Sequence, residues 1–137
     1  MRPTDNYRRQ HTEITTLLEQ LHALLLVPQP AAGDSLAATL RRLTGKLTVH
    51  LAMEDQSLYP RLLQSPDARI AATAARFQQE MSGIREAFQQ FLGRWTDAAI
   101  QADRAGFSAA LDALSAVLSR RIERENTELY PLLDNAA

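Results

Sequence analysis

His50 and Glu54 lie four residues apart in the stretch HLAMEDQSLYP, residues 50 to 60. On a helix that spacing puts an imidazole and a carboxylate on one face, their bases ~5–6 Å apart. A nitrogen and a carboxylate so placed can bind one metal ion or flank it. The stretch RIERENTELYP, residues 121 to 131, repeats the frame. Glu125 stands for Glu54, Tyr130 for Tyr59 and Pro131 for Pro60, but Arg121 stands for His50. A single His-x-x-x-Glu is more often a hydrogen-bonded pair or a solvated face than a ligand pair. The repeat changes the balance, because a duplication kept only for packing would retain its leucines more readily than its acid. Two inward carboxylates from opposite helices are what a carboxylate-bridged dinuclear site needs. His11, beside the apolar position Ile14, is placed to approach His50.

Helices must hold these residues. Four segments carry apolar stripes at the i, i+3/i+4, i+7 spacing of an amphipathic helix. They run from about 4 to 27 (Ile14, Leu17, Leu18, Leu21, Leu25), 34 to 63 (Leu36, Leu40, Leu43, Leu47, Leu51), 66 to 100 (Ile70, Phe77, Ile84, Phe88, Phe91, Trp95) and 103 to 133 (Phe107, Leu111, Leu114, Leu118, Ile122). Breaks are few. VPQPAAGDS at 27–35 reads as a loop; Ser65 is placed to cap the third helix with Pro66 in its first turn; Asp103 is placed to cap the fourth. Pro60 and Pro131 should kink or end their helices. The expected fold class is all-α, an up-and-down antiparallel four-helix bundle in one domain over residues 1–137. A shift of 71 lays residues 50–62 on 121–133, and a shift of 70 lays the first segment on the third, with His11 on Met81, Ile14 on Ile84 and Leu18 on Phe88. Two helical hairpins, one a copy of the other, should pack about a pseudo-twofold axis.

Composition narrows the chemistry. The 137 residues are 45% apolar, with five Gly, six Pro and no Cys, which favours helix and excludes thiolate sites and disulfides. Fifteen basic and sixteen acidic residues interleave to a net charge of -1. No one-sided basic stripe exists for phosphates, so no nucleic-acid partner is expected. No run approaches the ~18 apolar residues of a membrane span, and MRPTDNYRRQHTEI lacks the apolar core of a signal peptide. The expectation is a cytoplasmic protein without a membrane partner. No nucleophile–base pair or phosphate loop is present, so no enzyme activity is expected. The Glu-x-x-His spacing of ferritin-like di-iron proteins is missing from the site as well.

RRQHTEI, HLAMEDQSLYP and RIERENTELYP together resemble the hemerythrin-like, HHE cation-binding domains over essentially the whole chain. The resemblance implies a four-helix bundle and a non-haem di-iron centre, with roles in oxygen binding, in sensing oxygen or iron, or in stress protection. Each hairpin of that family gives a His from its first helix and a His-x-x-x-Glu from its second. Carried over, the metal ligands are His11, His50, Glu54 and Glu125. Met81 and Arg121 replace the other two histidines, and Glu80, ~100° around the helix from Met81, is an imperfect substitute. The expected cofactor is therefore iron (mononuclear or di-iron) or another divalent metal, with O2 or NO as further ligands. Arg121 is expected to pair with Glu125, reach Glu54 across the bundle and replace the second ion. The expected role is sensing, storage or stress response. The alternative is a metal-free regulatory or interaction module, a homo-oligomer or one with a protein partner. Tyr7, one turn before His11, is placed to donate to the site. Tyr59 and Tyr130 read as packing, and His22, ~16 Å along the first helix from His11, lies outside the site.

Overall fold

A computed structural model describes residues 2–27 and 33–135. Most of the loop expected at 27–35 falls outside these residues. The first helix, α1 (Asp5–Leu24), buries Tyr7, His11, Ile14, Leu17, Leu18 and Leu21 along one stripe. Its start is clasped to the far end of the chain. The Thr4 hydroxyl lies 2.8 Å from both carboxylate oxygens of Asp134, and Arg8 adds an ion pair at 3.1 Å.

The second helix, α2 (Gly33–Met53), does not end at Pro60. It widens into a π-helical turn, Glu54–Leu58, and resumes as α3 (Tyr59–Leu63). Proline lacks the N–H that an α-helix needs, and its ring strikes the carbonyl four residues back. One turn earlier the chain admits an extra residue, so that the Tyr59 N–H reaches the Glu54 carbonyl, five residues back. The second half repeats the device. The last long helix, from Arg104 to Arg124, passes through a π turn at Glu125–Leu129, where the Tyr130 N–H reaches the Glu125 carbonyl. This is the structural content of the duplicated E…LYP frame. Five residues fall ~140° apart on an α-helix. A π turn holds more residues, so the same five overshoot one turn by less, and Glu and Tyr are both buried.

The third segment starts later and breaks earlier than its sequence suggests. Pro66 precedes α4 (Ala68–Arg94), and the cap is Asp67, which accepts from the Arg69 N–H. Ser65 instead accepts from the Asp67 N–H. At Trp95 the helix stops, and Thr96 caps a short new one, α5 (Asp97–Ala102), by accepting from the Ala99 N–H. The Trp95 ring packs edge-on against Phe107 there. Asp103 caps α6 (Arg104–Arg124) through the Gly106 N–H, as expected. After the second π turn comes α7 (Tyr130–Asp134).

The helices pack as the expected all-α bundle, α1 against α2 and α6, and α4 against α3 and α6. The core has two apolar parts. One holds Ile14, Leu43, Met81, Phe107 and Leu118, among others. The smaller one holds Tyr7, Leu58, Tyr59, Phe77, Leu129 and Tyr130. Along each long helix the change from one part to the other falls at the same level. His11, His50, Glu54, Arg121 and Glu125 occupy that level, a buried polar layer between two apolar ones.

Candidate metal centre

The fold brings His11, His50, Glu54 and Glu125 together. One donor atom from each lies within 4.8 Å of every other, and all four residues are buried. α1 supplies His11 and α2 supplies His50. The two π turns begin at the two glutamates.

Both imidazoles are oriented through Nδ1. His50 Nδ1 lies 2.7 Å from Gln10 Oε1. The Gln10 amide is itself set by donating from Nε2 to Met53 Sδ at 2.9 Å. His11 Nδ1 lies 2.9 Å from Asn126 Oδ1. An amide oxygen only accepts, so each Nδ1 carries a proton, and in the neutral imidazole each Nε2 then carries a lone pair. The two Nε2 atoms face each other at 3.0 Å. Two such lone pairs at that distance repel each other unless a proton or a metal ion lies between them. Ligands ~2.1 Å from one ion stand about 3.0–3.5 Å apart, which this spacing matches.

The carboxylates fit the same ion. Glu125 Oε1 is 3.0 Å from His11 Nε2 and 3.9 Å from His50 Nε2, and Glu54 Oε1 is 3.4 Å from His50 Nε2. Glu54 Oε1 and Glu125 Oε2 are buried without any hydrogen-bond partner. Burial and the nearby Glu125 charge push the Glu54 carboxyl well above its ordinary range. In the metal-free chain burial also opposes the Glu125 charge, but a proton shared from the His11 and His50 ring nitrogens outweighs it and holds the group down to about 2. Burial lowers His50, which keeps its imidazole neutral and able to donate a lone pair. Two neutral imidazoles and two carboxylates suit Fe²⁺, Zn²⁺ or Mn²⁺.

The second half of the bundle keeps the outer contacts of such a site but not its ligands. The shifts of 70 and 71 lay Gln10, His50 and Met53 on Glu80, Arg121 and Arg124. In the first half Gln10 joins His50 and Met53. In the second, Glu80 Oε2 accepts from Arg121 at 2.6 Å and from Arg124 at 2.7 Å. An amide between an imidazole and a thioether has become a carboxylate between two guanidiniums. The expected pairing of Arg121 with Glu125 and Glu54 is therefore not made. Its other amino group donates to the Phe77 carbonyl at 2.7 Å, and its guanidinium lies 4.2 Å from the Phe77 ring centroid. Glu80 on α4 draws the guanidinium away from the axis and is not a ligand. The Arg121 charge reaches Glu54 only through space, opposing the upward shift of that carboxyl.

Tyr130, read from the sequence as packing, donates to Glu54 Oε2 at 2.8 Å and lies 3.1 Å from His11 Nε2. Tyr59, its counterpart, has a buried hydroxyl with no partner. The residue equivalent to His11 on its side is Met81. The Tyr7 ring stands edge-on to His50, with centroids 6.3 Å apart, but its hydroxyl donates to the Met53 carbonyl at 3.5 Å and not to a ligand. His22 sits away from the site, against Ser115 and Asp112 on α6. Sequence reasoning missed Gln10 and Asn126. Their signal was adjacency, each being an amide next to a ligand. A cavity of about 20 Å³ adjoins the layer, lined by His11, His50, Met81, Arg121 and Glu125 and by aliphatic side chains. That is room for one water-sized molecule.

The hemerythrin HHE cation-binding domain is the family whose pattern matches, over residues 2–133. No curated protein and no solved structure matches the chain. Among the described residues no helix is long and apolar enough to cross a membrane.

Proposed function

The chain belongs to the hemerythrin HHE cation-binding domain family, and on that premise we propose that it binds one divalent metal ion, iron before others, through His11, His50, Glu54 and Glu125. The observation that carries this reading is the pair of Nε2 lone pairs held 3.0 Å apart by two committed Nδ1 donors. The two partnerless carboxylate oxygens support it. A bound divalent ion would supply Lewis acidity and, as iron, a redox centre. The chain's own residues fix the rest. Gln10 and Asn126 lock the imidazole tautomers. Met81 and Arg121 stand where a second set of histidines would be, so the site takes one ion.

A one-ion site does not suit the two-iron chemistry of reversible oxygen carriage. Sensing or storage of the metal, with O2 or NO as a small ligand, suits it better. The adjoining cavity has the size for a diatomic molecule. We assign the chain a binding role rather than an enzymatic one.

The metal-free alternative has one observation on its side. His11 Nε2 lies 3.0 Å from both His50 Nε2 and Glu125 Oε1, where a single proton can also sit. Thermal denaturation of the chelator-stripped chain separates the two. Zn²⁺, or Fe²⁺ without air, at 100 times its dissociation constant should stabilise by about 2.7 kcal/mol. His50→Ala should abolish the shift. A wild-type chain indifferent to both ions refutes the proposal.

A further inference from the structure

Tyr130 belongs to the second half of the bundle but serves the first. Its ring stacks on His11 with centroids 5.2 Å apart. A phenol has one proton, and at 2.8 Å from Glu54 Oε2 it is given to that carboxylate. The second contact, 3.1 Å to His11 Nε2, then sets an oxygen lone pair against a nitrogen lone pair. His11 and His50 meet in the same way at 3.0 Å. With its Nδ1 proton committed to Asn126, a neutral His11 thus turns its Nε2 lone pair toward both His50 Nε2 and Tyr130 Oη. A hydroxyl needed only to hold Glu54 has no reason to be there.

We propose that Tyr130 is a fifth ligand of the site, binding a trivalent ion as phenolate and remaining a phenol on Glu54 when the ion is divalent. The inference rests on the metal reading above. Charge distinguishes the two states. Two neutral imidazoles and two carboxylates cancel a divalent ion. A trivalent ion leaves one positive charge uncompensated in a buried layer, which is costly. Tyr130 cancels it: its O–H bond breaks, an Oη–metal bond forms and the proton passes to the buffer. No electron moves. Tyr59 cannot do the same, because Met81 takes the place of the imidazole that would face it.

The test loads the chelator-stripped 137-residue chain with ferric citrate. The expected result is bound iron by elemental analysis and a visible phenolate-to-iron charge-transfer band. Resonance Raman excitation in that band should show tyrosinate vibrations. Tyr130→Phe, checked by circular dichroism for its fold, should lose the band, whether or not it keeps the ion. Tyr59→Phe and Tyr7→Phe should keep it, which identifies Tyr130 by elimination even if its own variant folds poorly. The Zn²⁺-loaded wild type should show no tyrosinate absorption. Bound iron without the band, or a band that survives in Tyr130→Phe, overturns the proposal and leaves the metal reading standing. A chain that takes up neither ferric iron nor Zn²⁺ overturns both.

Discussion

Tyr59 and Tyr130 occupy equivalent places in the two halves, both fully buried, and their hydroxyls should have opposite effects on stability. Tyr130→Phe keeps the ring and removes a hydrogen bond of 2.8 Å to a buried carboxyl. It leaves Glu54 with both oxygens unpartnered, since Oε1 already is. Loss of a bond to a charged or buried acid costs about 1.5–3 kcal/mol. Tyr59→Phe removes a hydroxyl that has no partner to lose. Its burial already costs about 1–3 kcal/mol, some of which the variant should recover. The predicted gap between the two variants is therefore at least about 2 kcal/mol, a melting difference of roughly 6–10 °C for a chain of this length. Urea denaturation of the chelator-stripped chains measures it, and equal slopes would show that both unfold alike. If Tyr59→Phe loses as much as Tyr130→Phe, the Tyr59 hydroxyl has a partner and the asymmetry between the halves is wrong.

Other substitutions probe the same layer. Glu80→Ala should destabilise by about 3 kcal/mol, because Arg121 is left buried with only the Phe77 carbonyl, and adding Arg121→Met should recover most of that in the double variant. Glu54 has a raised folded pKa, so the folded chain holds its proton where the unfolded chain has lost it. Its contribution is present below the unfolded value of about 4.5 and is lost as pH rises toward the folded one. Glu54→Gln should thus stabilise the metal-free chain at neutral pH and flatten that pH dependence while weakening metal binding, which denaturation at several pH values and a Zn²⁺ titration check together. Met81→His with Arg121→His should raise the iron content from one ion per chain to two. Glu80 would then orient the new imidazole as Gln10 orients His50.

Much of this layer was legible in the spacing. His50 and Glu54 four apart, Glu125 in the repeated frame and His11 beside Ile14 led to the four residues that meet. The apolar stripes led to the bundle. The π turns were not legible, because a proline read locally says only that an α-helical bond is lost. Where the lost bond is absorbed depends on the packing of Tyr59 and Tyr130 beneath the layer. The role of the Tyr130 hydroxyl stayed hidden for the same reason, since five residues on a regular helix point away from each other. The destination of Arg121 depended on a residue of another helix. Placing Glu80 opposite Gln10 in the alignment of the halves would have found it, but that match is weak in residue type. The break at Trp95 coincides with the packing of its ring on Phe107, a contact no periodicity encodes.

The central claim is that one half of a duplicated site still holds a metal and the other has exchanged its metal for the Glu80–Arg121–Arg124 ion cluster. The direct measurement is metal content per chain after anaerobic Fe²⁺ loading and removal of excess, by elemental analysis against amino-acid quantitation. The account predicts one ion per wild-type chain and none in His50→Ala. Two ions per chain, or none, would contradict it.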